Sequence, residues 1–158
     1  MQLGIAADVM PNLTLMADYR RIWYNSVKSV GNPSTNPPPF GTNNGPGFGW
    51  QDVDVFKVAA EWRMSTELTW RAGYAYNTSP IESRDVMLNI LAPGVVQHHF
   101  TGGFEYKFGP AWSFEAAVMF VPESEVRGAE LAAFGNANHN IELRMYQYEA
   151  TVGVKYRF

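Results

Sequence analysis

Cysteine is absent from all 158 residues, which excludes a disulfide framework and a thiolate metal site. Charge is scarce as well: Asp, Glu, Lys and Arg supply 17% of the chain, low for a soluble domain of this size. The net charge is −3 and no basic run interrupts it, which argues against a nucleic-acid partner. Long apolar runs are also missing. Stretches such as "AAVMFV" fall far short of the about 20 residues that a membrane-crossing helix needs. Nor does Met1 open onto the basic start, apolar core and small-residue cleavage site of a secretory signal; "QLGIAADV" follows it directly. The expectation from that start is a protein that is not exported, or one whose beginning lies outside this sequence.

What is present is aromatic and alternating. Phe, Tyr and Trp reach 15% and apolar residues 46%, while mean hydropathy stays at −0.21. Apolar and polar residues trade places every second position almost throughout, the period of a strand rather than a helix. The alternation predicts strands at about 2–10, 12–28, 50–64, 67–78, 97–108, 112–122 and 141–158. Short turns near 10–12, 64–67 and 108–112 carry Pro, Gly, Asn or Ser. Long loops at about 29–49, 79–96 and 123–140 separate the remaining strands. Phase slips near "YRRIW" and between Val55 and Phe56 predict a bulge at each place.

The composition of the two faces decides what kind of sheet this is. Phe100, Gly102, Phe104, Tyr106 and Phe108 share one face of their strand; Thr101, Gly103, Glu105 and Lys107 share the other. In the last strand, "TVGVKYRF", Val152, Val154, Tyr156 and Phe158 oppose Thr151, Gly153, Lys155 and Arg157. Along the apolar faces the large rings gather toward strand ends. Trp70 and Tyr76 bracket Ala72, and Trp112 and Phe120 bracket Ala116. A soluble core places bulk in the middle, whereas amphipathic rings belong at two membrane interfaces. The pattern predicts an all-β, antiparallel transmembrane barrel wall with lipid outside. Short turns on one side and long loops on the other fit periplasmic and extracellular ends, respectively. An odd number of strands fits part of a larger barrel better than a whole one.

Three stretches carry a family resemblance. "GWQDVDVFKVAAEWRMS", "LTWRAGYAYNTSPIESRDVMLNILAPGVVQHHFTGGFEYKFG" and "NIELRMYQYEATVGVKYRF" resemble the FadL-type outer-membrane transporters, from Trp50 onward and more weakly before it. The resemblance implies a bacterial outer-membrane channel for passive uptake of hydrophobic compounds, such as long-chain fatty acids or aromatic hydrocarbons. It implies a barrel of about fourteen strands with an N-terminal hatch inside. Residues 1–158 then form the C-terminal half of the barrel, about seven strands. The hatch, the signal peptide and the loops where ligand first enters lie in the missing N-terminal half, a required partner. Phe158 resembles the terminal aromatic by which such barrels are recognised by the assembly machinery, and it also fits the aromatic girdle.

With lipid outside, the inner face sorts by depth. Toward the short turns lie Glu61, Arg63, Arg71, Glu105, Lys107, Glu115, Lys155 and Arg157. These form either a charge ladder that satisfies the wall or a docking belt for the hatch. Toward the loops, Ala75, Thr101, Met119, Val121, Leu143 and Met145 are candidates to line a passage for a hydrophobic ligand. The same residues also suit packing beneath the loops.

No cofactor is called for, and no metal site. His98 and His99 are adjacent and point to opposite faces. The alternative readings are an outer-membrane lipid hydrolase using His99, Glu105 and Ser113, and a structural or soluble barrel that binds a ligand inside. No G-x-S-x-G elbow supports the hydrolase, so the chain is expected to perform no bond chemistry. "GPGFGW" opens no helix and is no phosphate loop.

Overall fold

The two-residue alternation is realised as seven strands joined by turns and long loops. The structure, a computed structural model, describes residues 1–130 and 138–158. Its strands are β1 (Gln2–Met10), β2 (Leu13–Ile22), β3 (Val53–Arg63), β4 (Leu68–Asn77), β5 (His98–Lys107), β6 (Trp112–Ala129) and β7 (Asn140–Tyr156). They form one 7-stranded antiparallel sheet in sequence order, β1 to β7, each strand pairing with the next. This is a meander with β1 and β7 at its open edges. Among the described residues, helix is confined to the one-turn Lys28–Gly31 and two 3-10 turns in the second loop. Among the described residues no helix is long and apolar enough to cross a membrane, which says nothing of strands that cross one.

Several boundaries differ from the sequence expectation. β2 stops at Ile22 rather than near 28, because the chain turns there. The Ser26 hydroxyl donates to the Trp23 carbonyl at 2.8 Å, and the Asn25 N–H donates to Asp52 at 3.1 Å. β6 runs past the expected end at 122 to Ala129, so only part of the expected loop at 123–140 is loop. Residues 131–137 of that loop lie outside the described residues. Pro122 explains the extension. Val121 pairs with Gln147 and Ser124 with Met145, so Pro122 and Glu123 together face Tyr146. A bulge tolerates a residue without an N–H, and the ladder resumes beyond it.

The two bulges expected in the second and third strands are not there. β2 and β3 pair without interruption from Leu13↔Trp62 to Ile22↔Val53. The phase slip has another cause: the polarity of the two faces inverts at the loop end. Arg21 and Asp54 lie on the outer face there and pair at 2.9 Å, with Tyr19 donating to Asp54 at 2.6 Å. Val53, on the inner face, is buried. β6 and β7 repeat the inversion. Outward Arg127 pairs with Glu142 at 3.0 Å, while inward Val126 and Leu143 face each other beneath a loop.

Between those levels the outer face is apolar and open. Ile5, Val58, Trp70, Phe100, Val118 and Val152 are all exposed. Rings meet across neighbouring strands in two tiers. Trp70–Phe104 and Trp112–Tyr156, with centroids 5.3 and 4.7 Å apart, mark the turn end. Tyr19–Phe56 and Phe120–Tyr148, both 5.2 Å apart, mark the loop end. Such pairs stabilise a sheet by about 0.5–1.5 kcal/mol beyond burial. Among the described residues the buried apolar cluster lies under the second loop. There Ile81, Val86 and Val95 close on Leu143, with Trp50, Val126, Ile141 and Met145 packed around them.

Candidate functional site: the inner wall and its loop cap

Alternation turns every second residue of each strand to the inner face, and register sets which of them meet. Glu61 pairs with Arg71, and Thr69 with Glu105; Glu105 in turn sits opposite Glu115. The charges join in a ladder across the sheet. Arg63 contacts Asp8 at 3.4 Å and Glu61 at 3.1 Å; Arg71 contacts Glu61 at 2.8 Å and Glu105 at 3.4 Å. Lys155 lies 3.8 Å from Glu105 and pairs with Glu115. Glu105 is 7% exposed, and its Oε1 accepts no hydrogen bond, so Arg71 and Lys155 together offset a buried charge.

Asp8 is a member that the strand pattern of the first nine residues concealed, since it is the one ionisable residue of "QLGIAADVM". Lys107 shares the face, opposite Ser113. Arg157 follows β7, its backbone N–H donating to the Ala111 carbonyl at 2.8 Å. Among the described residues the ladder runs without either side chain.

Above the ladder the inner wall turns to small residues. Ala59, Gly73, Thr101, Gly103, Ala117 and Thr151 line a hollow of about 360 Å³, with Arg71 and Glu115 along its lower edge. The proposed ligand residues divide around it. Thr101 lines this hollow, and Met119 is its cross-strand partner. Ala75 sits one step higher, paired with His99. Leu143, Met145 and Val121 are not on the open wall. Leu143 is 8% exposed and packs with Met145 in the cluster beneath the second loop, and Val121 is fully buried.

The cap over that end is made by the segments 23–52 and 78–97, and buried polar residues hold them together. The Ser34 N–H and hydroxyl both donate to Asp85 Oδ1 at 2.7 Å, and Arg84 pairs with Oδ2 at 3.1 Å. Gly49 approaches this carboxylate with φ of 68°, where an added Cβ would collide with it. One turn on, Asn89 accepts from Trp50 Nε1 at 2.5 Å and donates to the carbonyls of Phe48 and Asp85 at 2.7 and 2.8 Å. Asp85 and Asn89 are both fully buried. Loop residues of this kind carry no periodicity, and the sequence reading passed over them. Gly128 completes the seat, since a Cβ there would strike the Ser83 carbonyl.

The hydrolase arrangement does not assemble. Ser113 stands opposite Lys107, eight positions along β5 from His99, which is about 26 Å at strand rise. His98 and His99 occupy opposite faces; Tyr74 Oη lies 2.8 Å from His98 Nδ1 on the outer one. No group of three or more metal-ligating side chains is gathered among the described residues.

A meander with apolar rings outside, charge inside and loops folded over one end is a segment of a transmembrane β-barrel wall. Solved structures place it more closely. The P. putida toluene transporter TodX matches 98% of this chain at 19% identity, with a TM-score of 0.58. A deltaS2 mutant of the TodX monoaromatic hydrocarbon channel matches 99% at 21% identity and 0.69. A Pseudomonas aeruginosa FadL homologue matches 97% at 16% identity and 0.59. The chain has the fold of one segment of these FadL-type barrels and spans 33–35% of their length. No protein-family model matches it, and no curated protein does.

Proposed function

We propose that this chain is the C-terminal part of the wall of a bacterial outer-membrane channel for passive uptake of hydrophobic compounds. Long-chain fatty acids or aromatic hydrocarbons are the substrate class, and no bond is made or broken. The observation that carries the reading is a barrel-wall sheet whose outer face exposes apolar side chains while its inner face holds a hollow above a paired charge ladder. Proteins of this fold include one described as a toluene transporter and one as a FadL homologue.

The roles follow from position. Thr101, Met119 and Ala75 border the route along the inner wall; Val121, Leu143 and Met145 fix the underside of the cap. The ladder from Asp8 to Glu115, with Lys107 and Arg157 beside it, is the surface against which a hatch from the N-terminal portion rests. The partners are outer-membrane lipid on the aromatic face, the hydrophobic ligand, and the strands that close β1 and β7. In lipid each unpaired backbone group on those edges costs several kcal/mol. The barrel-assembly machinery reads Phe158.

The test is uptake of oleate and of toluene by cells whose sole channel is the complete protein. Met119→Asp, which places a charge beside the hollow, is expected to cut uptake several-fold at unchanged surface expression. Unchanged uptake in that variant sinks the assignment of the inner wall as the route.

A further inference from the structure

The outer face of β5, β6 and β7 changes character along the strands in the order of a lipid molecule. Between the ring tiers, Gly102, Val118 and Ala150 stand side by side across the three strands and floor a shallow hollow. A Cβ added to Gly102 would meet nothing within 4 Å, so the floor is open outward. Phe100, Phe120 and Tyr148 form the next row toward the loops, with centroids 6.4 and 5.2 Å apart. Tyr146 follows opposite the Pro122 bulge, 61% exposed and edge-on to Tyr148 at 5.8 Å. Beyond it come two cross-strand pairs of opposite charge, Glu125 with Arg144 and Arg127 with Glu142. Acyl chains, an interfacial headgroup and a phosphate present the matching order from mid-membrane to water.

The two arginines are held in place and not used up. Arg127 directs Nη2 to Glu125 at 3.3 Å and Nε to Glu142 at 3.0 Å. Arg144 directs Nε to Glu123 at 3.5 Å and Nη2 to Glu125 at 3.6 Å, and also pairs with Glu142. Among the described residues neither Nη1 has a partner, and both side chains are at least half exposed. The carboxylates thus fix each planar fork and leave donors that suit phosphate. As diagonal neighbours on paired strands the two sit roughly 7–8 Å apart at Cα, within reach of one headgroup.

Charge decides against a free anion as the occupant. Three glutamates beside two arginines leave no net positive field, so a dissolved phosphate gains little there. A lipid already seated by its chains brings its phosphate to the arginines at high effective concentration. The floor spans three strands, about 10 Å, room for more than one chain. We propose that this strip seats one phosphorylated glycolipid of the outer leaflet. Its chains lie on the Gly102–Ala150 floor, its sugar at Tyr146 and its phosphates on Arg127 and Arg144. The choice of leaflet rests on the channel reading above, which makes the loop end extracellular; the binding itself does not.

The test uses the complete barrel containing this chain, stripped of lipid in detergent and observed by native mass spectrometry. Bisphosphorylated lipid A and phosphatidylglycerol are offered in equal amounts. One lipid A is expected to be retained in preference, and lipid A without its phosphates to lose that preference. Replacing both arginines, Arg127→Gln with Arg144→Gln, is expected to lower retention about tenfold or more, as loss of charged bonds does. Gly102→Leu, which fills the floor and leaves every charge in place, serves as an independent second variant and is expected to lower it as well. Heat-dependent gel mobility confirms that each variant is folded. Equal retention of the two lipids, retention indifferent to both variants, or displacement of lipid A by millimolar inorganic phosphate overturns the seat. A barrel that retains lipid A but takes up neither oleate nor toluene keeps the seat and removes the channel reading. Uptake without lipid A retention removes the seat alone.

Discussion

Asp85 has no partner of opposite charge in the sheet, yet it is fully buried. It is sustained by Ser34, which gives it both a backbone and a hydroxyl donor, and by Arg84 beside it. Bonds to a charged group contribute about 1.5–3 kcal/mol each, so this carboxylate ties the two loops together alongside Asn89. Asp85→Ala is expected to loosen the cap by about that amount without unfolding the sheet. Limited proteolysis reads it: segment 23–52 is expected to be cut several-fold faster while the heat-unfolding transition of the barrel stays in place. Equal cutting rates contradict the assignment. Nothing in "ESRDVMLNI" announces this role, because a loop acid and a buried hub look alike until the chain that covers them is placed. Gly49 is legible only in hindsight, since its positive φ matters through the carboxylate it faces.

Elements are where the sequence was most readable and where its misreadings are most instructive. Alternation alone finds every strand, and it places Glu61, Arg71, Glu105, Glu115 and Lys155 on one face. It does not say which charges touch, and it mistakes the inverted polarity of Arg21, Val53 and Asp54 for a bulge. The pattern changes phase because the surroundings change: loops cover the inner face there, and ion pairs replace rings on the outer one. A bulge at Pro122 passed for a strand end, and the register also shifts in β1 between Asp8 and Met10.

The ladder's members are not equal. Arg71 serves Glu105, which is 7% exposed, whereas Arg63 serves Asp8, whose side chain is 70% exposed. Arg71→Ala is expected to lower barrel stability by about 1–3 kcal/mol by stranding a buried charge. Arg63→Ala is expected to cost under about 1 kcal/mol, as exposed pairs do. Heat-dependent gel mobility of the refolded complete barrel separates the two, and equal shifts overturn the burial argument.

At the scale of the whole molecule, the order of the strands, the lengths of their connections and the position of the rings together fix an orientation. The turn end carries the ladder. The loop end carries the cap, and between two tiers of rings lies the band expected to meet lipid. The upper limit of that band follows from the inversion of polarity. Phe120 is the last outward ring on β6 and Tyr146, opposite the Pro122 bulge, the last on β7; beyond the bulge the outward residues are Glu125, Arg127, Glu142 and Arg144. These pair among themselves in water, with Arg144 at 3.5 Å from Glu123 and 3.6 Å from Glu125. At mid-membrane an Arg costs about 2–4 kcal/mol and a carboxylate less, so the bilayer is expected to end below them. The absence of cysteine makes this measurable without background. In intact cells a water-soluble, membrane-impermeant thiol reagent is expected to label Glu125→Cys and Glu142→Cys rapidly. Val118→Cys and Val152→Cys, exposed on the same outer face but between the tiers, are expected to resist it while reacting with a lipid-soluble reagent. Ser65→Cys, in a turn at the opposite end, is expected to react only after the outer membrane is breached. Rapid aqueous labelling at Val118→Cys and Val152→Cys together would mean that the aromatic face meets water or protein instead of lipid. The orientation, and the channel built on it, would then fall together.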